Sequence, residues 1–177
     1  MKTTAILIAG FGGQGTLFAG KILASASLEK GLEVSWLPSY GPEMRGGTAN
    51  CSVMISESPI GSPIVSHPDI LVALNKPSFE KYEKAAAPGA KIFVDSSLVD
   101  TRSARTDVET FYVPASQLAR EAGDGKLSNM VLIGKALKET GLFTPEEVEA
   151  VLDHTIPEKR AALRELNKKA LRAGLEG

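Results

Sequence analysis

The chain has 177 residues, of which 43% are apolar and 23% are charged, and its formal net charge is −1. These values predict one globular domain, residues 1–177, with a buried core. The near-zero charge argues against a nucleic-acid or membrane-surface partner, and no apolar run reaches the roughly 18–20 residues needed to span a bilayer. A cytoplasmic protein is expected.

The few sulfur and imidazole side chains argue against several site types. Cys51 is the single cysteine, so no internal disulfide can form, and an iron–sulfur cluster would need about four thiolates. The two histidines, His67 and His154, are far apart in sequence and show no metal-ligand spacing. We expect no metal site, and any redox chemistry would come from an organic cofactor or another chain.

The N-terminal third predicts a strand, a glycine-rich turn and a helix. Residues 3–9 are apolar nearly throughout, as in a strand covered on both faces. Gly10–Gly15 forms the turn, and the helix covers 16–30, where Gly31 ends it. A second strand covers 33–37, and a loop rich in proline and glycine covers 38–47.

The remaining residues continue the alternation of strands and helices. Thr144, Pro145 and Glu147 form a capping box with proline at the first helical position, which marks a helix start. The predicted strands cover 48–56, 69–74, 91–95 and 110–113, and further helices cover 76–87, 115–122, 129–140 and 157–173. The pattern predicts an α/β fold with three layers, in which helices cover both faces of a mostly parallel sheet with a Rossmann-like start.

The turn Gly10-Phe11-Gly12-Gly13-Gln14-Gly15 matches G-x-G-x-x-G between a strand and a helix. Such glycines let a phosphate approach the helix N-terminus, or they simply allow a tight turn. Dinucleotide sites usually have an acid at the end of the second strand, whereas Glu33 lies at its start. The side chain of Gln14 could donate to an anion or bond the loop's own backbone. A stand-alone nucleotide-binding oxidoreductase, such as a dehydrogenase, is therefore the alternative function.

The loop from Ser39 to Thr48 is the least generic stretch of the chain. It contains Glu43 and Arg45 among turn residues, directly after the second strand. Loops at the carboxyl ends of parallel strands can face one crevice, so this loop is expected near Gly10–Gly15. A held arginine binds carboxylate or phosphate, although an exposed Glu43–Arg45 pair would contribute only about 0–1 kcal/mol. We favour a binding or interface role.

Four other positions have both functional and structural interpretations. Asp95 and Asn75 each follow a strand, where sites occur in such folds, but both can also cap a turn. Cys51 lies on the apolar side of an alternating strand and is expected to be an inert buried thiol. Trp36 could belong to the core or to a partner surface.

Together the two loops resemble the gamma subunit of 2-oxoacid:ferredoxin oxidoreductases. The resemblance rests on G-F-G-G-Q-G, on S-Y-G-P-E-M-R-G-G-T-A after the second strand, on residues 66–75 and on residues 129–134. It runs from about residue 4 to residue 140, and the second-loop motif is its most specific part.

The resemblance implies a subunit of a heteromeric enzyme of the pyruvate/ketoisovalerate oxidoreductase type. That enzyme oxidatively decarboxylates a 2-oxoacid, joins the acyl group to coenzyme A and passes electrons to ferredoxin. Thiamine diphosphate with magnesium is expected on alpha and beta subunits, and iron–sulfur clusters on other chains, such as a ferredoxin-like delta subunit.

The motif match carries over eight binding or interface positions and no catalytic residue: Gly12, Gly13, Gln14, Gly15, Glu43, Arg45, Gly46 and Gly47. A helix N-terminus and a held arginine suit coenzyme A, which carries phosphate groups. The sequences of the two loops favour 2-oxoglutarate or branched-chain 2-oxoacids over pyruvate as the substrate. A purely structural subunit without a ligand stays as a third hypothesis.

Overall fold

A computed structural model describes residues 2–41 and 47–177. The described residues form six strands: β1 (Thr3–Phe11), β2 (Glu33–Tyr40), β3 (Thr48–Ser56), β4 (Ile70–Ala73), β5 (Lys91–Asp95) and β6 (Glu109–Val113). They also form six α-helices: α1 (Thr16–Glu29), α2 (Lys76–Tyr82), α3 (Ala115–Ala122), α4 (Ser128–Thr140), α5 (Pro145–Thr155) and α6 (Ala161–Glu176). The predicted α/β class is confirmed.

All six strands join one mixed sheet in the order β2-β3-β1-β4-β5-β6. The run β1, β4, β5 and β6 is parallel, as predicted. Strand β3 lies between β2 and β1 and is antiparallel to both, a direction that the sequence pattern did not reveal. A connection as short as residues 41–47 suits an antiparallel pair, because a parallel pair needs a crossover of a dozen or more residues.

The sheet has helices on both faces, and the two faces differ in how much they bury. Because side chains alternate along a strand, Ile6 and Ile8 face one layer while Leu7 faces the other. The first layer contains α1, α3, α4, α5 and α6, which share a single large apolar core. The second contains α2, whose Phe79 packs on Leu7 and β4. The predicted three-layer arrangement is confirmed.

Several element boundaries differ from the prediction: β1 runs on to Phe11, into the predicted turn, and larger differences occur at β2, α2 and α6. Residues 38–40 continue β2 instead of starting a loop, and Pro38 is tolerated because β2 is an edge strand that does not need every N–H in the ladder. Helix α2 stops at Tyr82 and is followed by a 3₁₀ turn to Ala85. A similar turn, Glu158–Arg160, precedes α6, which starts four residues later than predicted. The capping box at Thr144 is confirmed.

Helices α4 and α6 approach each other so closely that only glycine fits at their contact. A Cβ atom on Gly134 would collide with the carbonyl oxygen of Leu171, and one on Gly174 would collide with that of Val131. This contact holds α6 against the middle of α4. None of the helices in residues 2–41 and 47–177 is long and apolar enough to cross a membrane.

Candidate functional site

The glycine-rich turn joins the carboxyl end of β1 to the first residue of α1. Gly13 and Gly15 have positive φ values of 95° and 75°, which side-chain-bearing residues rarely adopt. A Cβ atom on Gly15 would also collide with the amide of Asn129 on α4. Glycine is therefore required at Gly15 both by the turn and by its contact with the neighbouring helix.

The side chain of Gln14 ties this turn to the end of β4. Its Oε1 accepts hydrogen bonds from the backbone N–H of Phe11 at 2.7 Å and from Nδ2 of Asn75 at 3.1 Å. Its Nε2 donates to the carbonyl oxygen of Leu74 at 3.1 Å. The sequence left open whether Gln14 donates to an anion or hydrogen-bonds the loop's own backbone, and the geometry matches the second interpretation. Its role toward a ligand stays a prediction.

Asn75 and Asp95 both use their side chains to start helices. Oδ1 of the buried Asn75 accepts the N–H of Ser78 at 2.9 Å and caps α2. Asp95 is fully buried and accepts hydrogen bonds from the N–H groups of Ser97 and Ser116 and from the hydroxyl of Ser116. Both side chains therefore stabilise the edge of the sheet where the parallel strands end, and their oxygens are used in hydrogen bonds within the protein.

The second loop reaches the glycine-rich turn through Gly47. The N–H of Gly12 donates to the carbonyl oxygen of Gly47 at 2.8 Å, and Phe11 pairs with Thr48 in the β1–β3 ladder. The predicted proximity of the two loops is confirmed for this end of the second loop. Its physical reason is the antiparallel strand β3, which starts beside the end of β1. Glu43, Arg45 and Gly46 lie outside the described residues.

The N-terminus of α1 carries no charge-compensating side chain. Its N-cap, Gly15, has no side chain to accept a hydrogen bond, and its first turn contains no acidic residue. The first N–H groups of a helix lack partners within the helix and carry a partial positive charge. This end of α1 is therefore able to accept an anionic group.

The acid that a dinucleotide site would need lies at the wrong edge of the sheet. Glu33 starts β2 and pairs with Ser56, which also pairs with Thr3 at the start of β1. At about 3.3 Å per residue, the eight residues of β2 place Glu33 roughly 23 Å from the strand's carboxyl end. Glu33 therefore cannot bind a ribose held at the glycine-rich turn.

Cys51 is fully buried on β3 beneath α1, as expected from its place in the strand. Burial raises the pKa of its thiol to about 12, although a hydrogen bond with Trp36 acts in the opposite direction. The thiol is therefore uncharged at neutral pH and a poor nucleophile. Within residues 2–41 and 47–177, no group of three His, Cys, Asp or Glu side chains is placed to hold a metal ion.

The turn also borders a cavity that the sequence pattern did not predict. The cavity has a volume of about 310 Å³ and lies between the turn, α4 and α6. Asn129 and Asn167 line it from these two helices, and both are buried. The one sequence signal for this cavity is a polar residue, Asn129, directly before the apolar residues Met130 and Val131 of a predicted helix.

The sequence model of the family described as pyruvate ferredoxin/flavodoxin oxidoreductase matches residues 5–177 of this chain. The chain belongs to this family.

Relatives from archaea agree with the family assignment. Ketoisovalerate oxidoreductase subunit VorA of Methanothermobacter thermautotrophicus is 40% identical over 173 residues, which cover 97% of this chain. 2-oxoglutarate synthase subunit KorC of Methanocaldococcus jannaschii is 36% identical over 86% of this chain and 83% of its own length. The chain spans only 35% of the VorA sequence, so VorA contains a region of this kind and much more.

Solved structures of the family share the fold. The gamma subunit of keto/oxoacid ferredoxin oxidoreductase from Geobacter sulfurreducens superposes with a TM-score of 0.87 at 31% identity, covering 99% of this chain and 96% of that one. The 2-oxoglutarate:ferredoxin oxidoreductase of Magnetococcus marinus, with 2-oxoglutarate, coenzyme A and succinyl-CoA bound, gives a TM-score of 0.88 at 25% identity. This chain covers 31% of that longer chain.

The family assignment confirms the resemblance carried by the two loops. The match extends to residue 177, beyond the end near residue 140 expected from the motifs, so α5 and α6 belong to the family fold. The ligand roles of Gly12, Gly13, Gln14 and Gly15, and of the second-loop positions, stay predictions.

Proposed function

We propose that this chain is the gamma subunit of a multisubunit 2-oxoacid:ferredoxin oxidoreductase. The complex would decarboxylate a 2-oxoacid oxidatively, form the acyl-coenzyme A thioester and pass the electrons to ferredoxin. This subunit would contribute to assembly and to the coenzyme A side of the site, and it would supply no catalytic residue.

One observation carries the proposal. The chain matches nearly the whole length of a separately encoded gamma subunit, at 99% coverage of this chain and 96% of that one. In the Magnetococcus marinus enzyme the similar region is about a third of a longer chain. The same fold thus occurs both as a subunit and as part of a larger polypeptide, which is typical of one component of a larger enzyme.

The residues of this chain do not fit the redox groups of such an enzyme. An iron–sulfur cluster needs about four thiolates, whereas the chain has one cysteine, Cys51, which is fully buried. We therefore place the iron–sulfur clusters on other chains, such as a ferredoxin-like delta subunit. Following the family resemblance, we place thiamine diphosphate and magnesium on alpha and beta subunits.

Coenzyme A suits the edge where β1 ends. The uncapped N-terminus of α1 favours an anionic group, and the contact between Gly12 and Gly47 places the last residue of the second loop at the same edge. Arg45 belongs to that loop, and its guanidinium matches phosphate bidentately. We propose that Arg45 and the glycine-rich turn together bind a phosphate of coenzyme A.

The relatives that are more similar to this chain indicate the class of 2-oxoacid, since those whose names include pyruvate are only 29% identical. VorA is named for ketoisovalerate and KorC for 2-oxoglutarate. On this basis we propose a branched-chain 2-oxoacid or 2-oxoglutarate as the substrate, in preference to pyruvate.

Steady-state kinetics of the assembled complex would test the coenzyme A role. We expect Arg45→Ala to raise KM for coenzyme A about tenfold while KM for the 2-oxoacid changes little, because one phosphate contact of about 1–2 kcal/mol is lost. Arg120→Ala, which removes an exposed arginine on α3, is the matched control. Unchanged coenzyme A kinetics with weaker assembly would favour a purely structural subunit.

The stand-alone dehydrogenase is the weaker candidate because Glu33 lies at the far edge of the sheet. A thermal-shift comparison of NAD with coenzyme A would separate the two functions. Stabilisation by NAD but not by coenzyme A would support the dehydrogenase and contradict our proposal.

A further inference from the structure

The strand β2 forms one end of the sheet and leaves large apolar side chains exposed there. Trp36, Leu37 and Tyr40 are 39%, 41% and 51% exposed, and they are three of the six large apolar side chains that are exposed in the part of the chain that the structure describes. The strand at the opposite end, β6, differs, because its Phe111 and Tyr112 are half-buried. The apolar exposure is therefore a property of one edge of the sheet.

These apolar side chains lie on both faces of the sheet. In the β2–β3 ladder Trp36 lies opposite Val53, which belongs to the larger core. Leu37 lies opposite Ser52 on the other face. Because successive side chains alternate along a strand, Tyr40 shares the face of Trp36. A segment that covers this edge must therefore be apolar on both faces, as a fully buried strand is.

The backbone of β2 presents a regular row of free hydrogen-bonding groups along the same edge. The N–H of Gly41 donates to the carbonyl oxygen of Thr48 at 2.7 Å, in the register of the β2–β3 ladder. Successive residues of an antiparallel strand point their N–H and C=O groups to opposite sides, so odd-numbered residues bond β3 and even-numbered residues face outward. No backbone oxygen of the described residues accepts the N–H of Val34, Trp36 or Tyr40. This row of groups matches another extended strand.

Little on β2 protects this edge from pairing. Natural edge strands are usually short, bulged, covered or marked by lysine. β2 has eight residues, and Glu33 at its start is its only charged residue. Its one protective residue is Pro38, which has no N–H and lies among the outward-facing residues. We therefore expect this edge to be covered in the functional protein.

Pro38 also indicates which kind of strand fits. If two copies of the chain paired through β2 about a two-fold axis, outward-facing residues would lie opposite one another. Pro38 of each copy would then leave a carbonyl oxygen of the other without a donor. A strand of a different chain avoids this cost if it ends or bulges opposite Pro38. β2 also leads directly into the second loop, for which we favour a binding or interface role, so a strand on β2 would lie beside that loop.

We propose that β2 binds an extended apolar strand of a partner subunit, which adds to the six-stranded sheet as a further strand. Its backbone pairs with the outward groups of Val34 and Trp36. Its side chains cover Trp36 and Tyr40 on one face and Leu37 on the other. The proposal rests on the proposed function for the identity of the partner, which is another chain of the same complex.

Residue-resolved hydrogen exchange, measured by mass spectrometry on the free chain and on the purified complex, would test the backbone pairing. We expect the outward N–H groups of Val34 and Trp36 to exchange about tenfold more slowly in the complex. The N–H groups of Ser35 and Leu37, which already bond β3, should change much less. This alternation separates strand pairing from general burial of the surface.

A charge on the edge should prevent a strand from binding. Because Leu37 is exposed, we expect Leu37→Lys to keep the wild-type melting temperature. Its binding to an affinity-tagged thiamine-binding subunit, measured over a range of concentrations, should weaken about tenfold. Leu98→Lys replaces an equally accessible leucine after β5 and is the matched control, which should bind as wild type.

A second pair of variants tests the backbone contact alone. Val34→Pro removes an outward N–H and leaves the bonds to β3 intact, whereas Val34→Thr keeps that N–H. We expect similar melting temperatures for the two variants. Val34→Pro should bind the partner subunit about five- to tenfold more weakly than Val34→Thr, because one backbone hydrogen bond is lost.

Unchanged exchange at Val34 and Trp36 in an assembled complex, or wild-type binding by both Leu37→Lys and Val34→Pro, would overturn this proposal and leave the proposed function standing. A dimer of the free chain that Leu37→Lys dissociates would assign β2 to a second copy and also overturn it. Purification of the wild-type chain without thiamine-binding partners would overturn the proposed function together with this proposal.

Discussion

Replacing Gln14 with leucine removes three hydrogen bonds, one within the glycine-rich turn and two to the residues that follow β4. The N–H of Phe11, the carbonyl of Leu74 and the amide of Asn75 each lose a partner. A partner left unpaired costs about 1–3 kcal/mol when buried and less when water can reach it. Because these contacts are partly buried, we expect the free energy of unfolding to fall by about 2–3 kcal/mol.

Urea unfolding followed by circular dichroism would measure this loss. For a protein of this size, about 2–3 kcal/mol corresponds to a fall in Tm of roughly 5–10 °C. Gln117→Leu is the matched control, since Gln117 is exposed on α3 and contacts only Glu121 through its side chain. An unfolding free energy for Gln14→Leu within about 0.5 kcal/mol of wild type would refute the structural role of this side chain.

Three further changes test other parts of the fold. Gly134→Ala forces a Cβ atom against the carbonyl oxygen of Leu171 and should lower the unfolding free energy by about 3 kcal/mol, whereas Gly61→Ala, in open space, should lower it little. Cys51 should resist a thiol reagent at pH 8 until the chain unfolds. Because the thiol of the unfolded chain releases its proton at a lower pH than the native thiol, the free energy of unfolding should fall between about pH 9 and 12. The fall should be smaller in Cys51→Ala. Thr144→Ala should cost about 1 kcal/mol, read as a lower urea midpoint, because the capping box of α5 is lost.

Much of the fold could be predicted from local patterns. Apolar runs placed β1, β4 and β5, and a capping box placed the start of α5. The direction of β3 could not be predicted in this way, because alternation reports which face a side chain occupies and not which way the strand runs. The strand conformation of Pro38 was missed for a related reason, since its tolerance depends on β2 being at the sheet edge.

The candidate site was predictable only where its residues are close together in sequence. The glycine-rich turn is one contiguous motif, and its link to Gly47 follows from two adjacent strands. Asn129 and Asn167 reach the same place from α4 and α6, more than a hundred residues after Gly15. The packing of α4 against α6, which is closest at Gly134 and Gly174, brings them together, and no local pattern encodes that.

The most direct test of the proposed role is purification of the affinity-tagged full chain from its native host. The account predicts that alpha and beta subunits containing thiamine diphosphate copurify in a fixed ratio, and that the complex reduces ferredoxin when given a 2-oxoacid and coenzyme A. Recovery of the chain without thiamine-binding partners, together with normal 2-oxoacid oxidation in a strain that lacks it, would contradict the account.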